Sequence, residues 1–279
     1  NLALSILTGL GIAAIYVIVA EQIDQTVKDE SDLKTKLGIA ALGSVPNLDR
    51  DDVLELLKDK KSVAWEAYMS IRTSLSFLTD HGVPKSFLLT STRPNEGKST
   101  SAFALASVLA SGGSSVVLID GDMRNPSLHK MLQKSNDAGL SNFLSGDDNI
   151  DGLIQPKETW GFFAISAGPI PPNAAELLTG DRLKLLIEKL GEQFDCVIID
   201  APPVLGLADI PLLARSVEGV IYTIEANGVK LRGISTAMQR VQSSNVRIFG
   251  GIVTKVDSQS SGYGYGYNYQ YSYGEREMA

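Results

Sequence analysis

The sequence predicts an α/β fold, a parallel sheet covered by helices on both faces. Short apolar runs recur at 86–90, 115–119, 162–166, 195–199, 219–224 and 247–253. Helical patterns separate several of them, at 98–111, 181–192 and 231–241. The runs are continuous rather than alternating, as expected of strands buried on both sides. Ligands of such sheets lie beyond the carboxyl ends of the strands, and the residues with chemistry in this chain fall there.

Composition narrows the classes. The chain has 279 residues, is 44% hydrophobic and 20% charged, and carries a net charge of −7. That suits one globular domain with appendages and argues against a nucleic-acid surface, which is usually basic. The single cysteine, Cys196, lies in the run Cys-Val-Ile-Ile, so it reads as a small core residue and no disulfide can form within the chain. His81 and His129 have no metal-ligand spacing.

Residues 1–20 carry no charged side chain and are followed by Glu21 and a highly charged stretch. At about 1.5 Å per residue a helix of this length crosses a bilayer core, so a transmembrane helix is expected here. No basic segment or cleavage site marks a secretory signal. Residues 21–61 read as a juxtamembrane linker, punctuated by Gly38, Gly43 and Pro46, with a short structured piece at 39–45. The globular domain is expected over 62–256. It opens with an amphipathic helix at 62–78 that places Ala64, Tyr68, Ile71 and Leu75 on one face. Residues 257–279 have no core pattern and read as a disordered tail.

The strand at 86–90 runs into Ser-Thr-Arg-Pro-Asn-Glu-Gly-Lys-Ser-Thr, and a helix follows. This is the arrangement of a P-loop NTPase-like fold. Arg93, Pro94, Asn95, Glu96, Gly97, Lys98, Ser99 and Thr100 surround a phosphate site at a helix N-terminus, and the backbone N–H groups of the loop point inward at the phosphates. Gly97 permits close backbone approach, Lys98 reaches the β- and γ-phosphates, and Ser99 is placed to ligate magnesium. The ligand implied is ATP with Mg2+. Where the usual pattern opens with glycine, this chain has Thr92.

Two further strands end in acids. Val-Val-Leu-Ile-Asp-Gly-Asp ends in Asp120 and Asp122, and Val-Ile-Ile-Asp-Ala-Pro-Pro in Asp200. Acids at these positions serve the magnesium side of phosphate-loop sites, for which Asp120 and Asp200 are candidates beside Ser99. Two carboxylates at 120 and 122 exceed what one ion needs, so either can orient a hydroxyl nucleophile and accept its proton. Arg124 lies close enough in sequence to offset charge. Six of the nine tyrosines alternate along the tail, Tyr263, Tyr265, Tyr267, Tyr269, Tyr271 and Tyr273. Each phosphate added there brings nearly two negative charges.

Together these residues resemble a bacterial tyrosine kinase (BY-kinase), the cytoplasmic domain attached to a polysaccharide co-polymerase. The resemblance rests on the phosphate loop, Asp120-Gly-Asp122, Asp200-Ala-Pro-Pro, Gly168-Pro-Ile-Pro-Pro-Asn-Ala-Ala-Glu-Leu-Leu178, Asp209 and the tyrosine cluster. It implies ATP-dependent autophosphorylation of tail tyrosines between neighbours in a homo-oligomeric ring. It also implies a plasma-membrane anchor with the kinase domain in the cytoplasm, polysaccharide export machinery as partner, and a tyrosine phosphatase. The family's ring contact, Glu-x-x-Arg-x-x-Arg on a helix, matches Glu66 and Arg72, with Met69 at the middle position. Each nucleotide motif alone is shared with the MinD/ParA-type ATPases, and a MinD/ParA-like membrane-associated ATPase switch is the alternative reading. The tyrosine tail and Arg93, where those ATPases carry a signature lysine, favour the kinase.

Overall fold

The computed structural model describes residues 6–13, 25–48, 53–157 and 160–257. Seven strands form one sheet: β1 (Ala41–Pro46), β2 (Ser86–Ser91), β3 (Val116–Asp120), β4 (Phe163–Ile165), β5 (Cys196–Asp200), β6 (Gly219–Glu225) and β7 (Arg247–Val256). Their order is β1-β7-β6-β2-β5-β3-β4, and every pairing is parallel. The α/β expectation thus holds, with six of the seven strands at the positions the apolar runs indicate.

Successive side chains of a strand point to opposite faces, so a strand covered on both sides must be apolar throughout. In β2, Leu88 joins the core on one face with Val197 and Ile199. Phe87 and Leu89 join the other core with Phe103, Leu105 and Ile198. Both cores are fully dry at these positions, and each such side chain contributes about 1.5–3 kcal/mol of burial. The Lys98–Ser111 helix covers one face, and the Arg182–Gln193 and Leu231–Gln242 helices cover the other.

The segment read as a linker is joined to the sheet. β1 pairs with β7, Ala41 opposite Gly251 and Pro46 opposite Val256. The Gly251 N–H donates to the Ala40 carbonyl at 2.8 Å and the Asn47 N–H to Val256 at 2.9 Å. Leu42 and Val45 are buried beneath the Val63–Leu75 helix. The helix Glu30–Leu37 precedes this strand, capped by the Asp29 carboxylate and by Gly38 in a left-handed turn at φ +67°. Gly43 and Ser44 interrupt the apolar pattern of β1, so its order comes from the open edge of β7 and not from local propensity.

The Val63–Leu75 helix starts where Ser62 accepts the Trp65 N–H at 3.1 Å. Ala64, Tyr68, Ile71 and Leu75 face inward, as their spacing predicts. The helix grips the Lys98–Ser111 helix at both ends. Near one end Tyr68 and Ser101 share a buried hydrogen bond of 3.0 Å. Near the other, the Arg72 guanidinium packs over Gly112, the C-cap of that helix, where the helix dipole favours a cation. Burial pushes the Tyr68 phenol up to about 12, the Ser101 hydrogen bond opposing it.

The segment expected to cross a membrane, 1–20, lies outside the described residues except for 6–13, which are helical. Among the described residues no helix is long and apolar enough to span a bilayer. The tyrosine tail from 258 onward also lies outside them.

A chain beginning at residue 62 lacks β1 and leaves the edge of β7 uncovered. It should melt at least ~5 °C below a chain beginning at residue 25, since burial of Leu42 and Val45 is lost. Equal melting temperatures in scanning calorimetry would show that β1 contributes nothing to the fold.

Candidate active site

Register brings the acids together. β2, β5 and β3 are neighbours, and Asp120 at the end of β3 lies opposite Asp200 at the end of β5. Leu89 of β2 pairs with the same Asp200. Between Asp120 and Asp122 the backbone passes so close to β5 that a Cβ on Gly121 would meet Ile199 at 2.7 Å and the Asp200 carbonyl at 3.2 Å. The Gly121 N–H donates to that carbonyl at 2.8 Å. Glycine is what lets the two strand ends touch.

The loop after β2 is held from several sides. Thr92, where glycine is usual, is buried, and its hydroxyl shares a 2.9 Å hydrogen bond with the Tyr222 phenol of β6. The Arg93 N–H donates to Glu96 Oε2 at 2.8 Å. Asn95 and Gly97 take left-handed backbone angles, φ +69° and +86°. A Cβ on Gly97 would lie 3.3 Å from the Thr254 methyl group, and the Thr254 hydroxyl donates to the Glu96 carbonyl at 2.7 Å. Lys255 donates to the Asn95 carbonyl and to Glu225, both at 2.7 Å. Arg93 turns outward to Glu225 at 3.1 Å.

Lys98 begins the helix Lys98–Ser111 and is buried. Its ammonium lies 3.3 Å from Asp122 Oδ2, 3.3 Å from Asp200 Oδ1 and 3.1 Å from the Ser99 hydroxyl. Burial alone would lower the lysine's pKa, but the Asp200 and Asp122 carboxylates outweigh it and hold it above the ordinary value. Burial pushes Asp200 up, opposed by Lys98. Burial and the Asp200 charge push Asp120 up to about 7. Asp120 is fully engaged by backbone. Its Oδ1 accepts from Asp122 N–H at 3.2 Å, and its Oδ2 from Ser127 and Leu128 N–H at 2.9 Å each.

A cavity of about 580 Å³ opens onto this cluster. Pro94, Asn95, Gly97, Lys98, Ser99, Thr100 and Asp122 line it, with Thr254 and Lys255 from the end of β7. The side chains of Arg93, Glu96, Asp120 and Asp200 are not among its lining. Its opposite wall is apolar, made by Val45, Pro46, Leu48, Val53, Tyr68 and Met131. Part of that wall comes from the segment read as a linker, and no local motif marks it. Lys255, Glu225 and Tyr222 also escaped the sequence reading, because they reach the loop from strands remote in sequence. Glu66 is exposed and Arg72 half-buried on the outer helix, and neither lines the cavity. The six tail tyrosines lie outside the described residues.

Comparison with known proteins identifies the family. The family model described as AAA domain matches residues 95–248. The tyrosine-protein kinase YwqD of Bacillus subtilis strain 168 is 33% identical over 197 residues, covering 71% of this chain and 83% of that protein. The chain belongs to the bacterial tyrosine kinases. The tyrosine-protein kinase etk of Escherichia coli strain K12 is 36% identical over 198 residues, 71% of this chain, although that stretch is only 27% of the longer protein. A Klebsiella pneumoniae protein whose name describes a tyrosine-protein kinase in the cps region is 32% identical over 265 residues, 89% of this chain and 37% of that protein. The solved kinase domain of the Escherichia coli tyrosine kinase ETK superposes with a TM-score of 0.77 at 28% identity, over 84% of this chain and 96% of that one. The P-loop NTPase-like reading of the fold is therefore shared with solved members of the kinase family.

The residues fit a magnesium–nucleotide. Asp200 Oδ2 is buried with no hydrogen-bond partner, and the Ser99 hydroxyl lines the cavity. Oxygen donors of this kind suit a hard cation. Among the described residues no three His, Cys, Asp or Glu side chains form a metal cage. Magnesium at phosphate sites takes one or two protein oxygens and completes its shell with phosphate and water.

Glu96 is buried within the loop with one carboxylate oxygen unpartnered. Burial raises its pKa, opposed by the Arg93 N–H. The folded state therefore holds this proton more tightly than the unfolded chain does, and stability from this group falls as pH rises through the carboxylate range. Glu96→Gln keeps an acceptor for Arg93 and carries no charge. The variant's melting temperature should exceed the parent's by a margin that grows from pH 5 to pH 8. A parent that melts higher at pH 8 would show Glu96 ionised and stabilised in the fold.

Proposed function

We propose that this chain is an ATP-dependent protein-tyrosine autokinase that phosphorylates tyrosines of its own C-terminal cluster, Tyr263 to Tyr273, in trans within an oligomer. The observation that carries the reading is the Lys98 ammonium bridging Asp122 and Asp200 beside the phosphate loop, in a chain that carries six alternating tyrosines between residues 263 and 273. Family membership supports the same reaction.

The loop amides and Lys98 hold the β- and γ-phosphates, with Ser99 and Asp200 as the magnesium-side ligands and Asp120 beside them. Bound magnesium would neutralise charge on the phosphate oxygens. The phenolic oxygen of the acceptor attacks the γ-phosphorus, the bond to the bridging oxygen breaks, and ADP leaves. Tyrosine's pKa of about 10 means its proton needs an acceptor as the bond forms. Asp122 is the better placed of the two candidates. It lines the cavity, whereas both oxygens of Asp120 brace the following loop. The apolar wall opposite gives an aromatic ring a surface to rest on and keeps water away from the phosphate. Glu66 and Arg72 are proposed as the contact between subunits, and Glu66 is exposed as that role requires.

A membrane anchor at 1–20, a cytoplasmic kinase domain, control of polysaccharide polymerisation or export and reversal by a tyrosine phosphatase belong to the same proposal. The Klebsiella relative's cps-region name supports the polysaccharide part.

Incubation with ATP and magnesium should place phosphate on residues 263–273, read by mass spectrometry. Lys98→Met should lower the yield by at least ~100-fold, and chelation of magnesium should abolish it. Absence of phosphotyrosine from a preparation that turns over ATP would refute the kinase reading.

A further inference from the structure

Arg124 and Asp209 come from different strand ends and meet in a two-point fork. Arg124 Nε lies 2.8 Å from Asp209 Oδ2, and Nη2 lies 3.0 Å from Oδ1. Asp209 is buried, and Arg124 stands at the cavity wall with its side chain 42% exposed. The pairing with Asp209 holds the guanidinium firmly protonated. A planar guanidinium on a buried carboxylate fixes direction as well as distance.

The fork closes a circuit around the site. Arg124 follows Asp122 by two residues, on the loop that leaves β3. Asp209 follows Asp200 by nine residues, beyond the Ala-Pro-Pro segment that leaves β5. Asp122 and Asp200 meet again at the Lys98 ammonium, at 3.3 Å each. The β5 side is anchored to the phosphate loop independently, since the Val204 and Leu205 N–H groups donate to Ser91 and Thr92. The β3 side carries Asp122 on a loop braced within itself, by the Asn125 N–H on Asp122 Oδ1 and by the Asp120 contacts. Among the described residues, the ion pairs joining these two loops are the fork and the shared Lys98.

We propose that Arg124 and Asp209 are positioning residues, a clasp that sets the spacing of the two acidic loops and holds Asp122 where it meets the incoming hydroxyl. Nucleotide phosphates draw Lys98 away from Asp122 when they bind, and the clasp is then what keeps the Asp122 loop in register. This inference rests on the phosphoryl-transfer reading of the site.

The test follows γ-phosphate loss from ATP to any acceptor, water or tyrosine, so that it does not depend on which acceptor is used. Asp209→Asn and Arg124→Lys each remove the fork, the second while keeping the charge. Each should lower kcat by roughly 10- to 100-fold, the scale of a displaced reacting group, with KM for ATP within about 3-fold of the parent. The double variant should be no worse than either single, because the two residues act as one unit. Retained kcat in Asp209→Asn would overturn the clasp. So would a raised KM in Arg124→Lys alone, which marks Arg124 as a direct phosphate ligand, or additive losses in the double variant. A fall in kcat that tracks the loss of folded protein by thermal melting would assign the pair a merely structural role. Turnover without phosphotyrosine would refute the acceptor and leave the clasp readable, while a parent with no turnover would overturn both.

Discussion

Lys98 Nζ sits 3.3 Å from Asp122 and 3.3 Å from Asp200, and Asp120 at the end of β3 lies opposite Asp200. One ammonium is shared between two buried carboxylates, and a third, Asp120, is buried beside them. Burying that much negative charge is costly unless cations or protons compensate it. The upward displacement of Asp120 and Asp200 records the cost. A site in this condition favours a ligand that brings a divalent cation, and one Asp200 oxygen is buried without a hydrogen-bond partner.

The sheet makes this concentration of charge possible. Strands β2, β5 and β3 are buried on both faces, so their ends are held to the register of the ladder and the acids cannot move apart to relieve repulsion. Gly121 lets β3 and β5 close completely. Tyr222, Thr254 and Lys255 then tie the phosphate loop to β6 and β7, so that the loop is anchored on the side away from the acids. Thr92 shows how a departure from the usual loop pattern is accommodated. Its side chain turns into the interior and finds a hydroxyl partner, so the glycine's freedom is not needed there.

The outer helix connects this centre to the surface. Glu66 faces outward on the same helix whose inner face carries Tyr68 against Ser101, one turn into the phosphate-loop helix. Arg72 packs over the far end of that helix. A contact made by the outer face is therefore one side chain away from the nucleotide site, and β1 beneath it builds the apolar wall of the same cavity.

The central strands, the phosphate loop and the acids Asp120, Asp122 and Asp200 were legible in the sequence, because each depends on local pattern. An unbroken apolar run needs cover on both sides, and Gly-Lys-Ser-Thr between strand and helix needs only its own backbone to face a phosphate. β1 was legible only as a structured fragment, since Gly43 and Ser44 break its pattern and the edge of β7 supplies its order. The different surroundings of Asp120 and Asp122 were not legible at all. Both are acids after one strand, and only the fold turns Asp120 back onto Ser127 and Leu128 while leaving Asp122 on the cavity. By itself the sequence determined which side chains are candidates for the chemistry. Tertiary structure alone decided which of them meet, because residues such as Arg124 and Asp209 are brought together by the packing of strands that no local pattern relates.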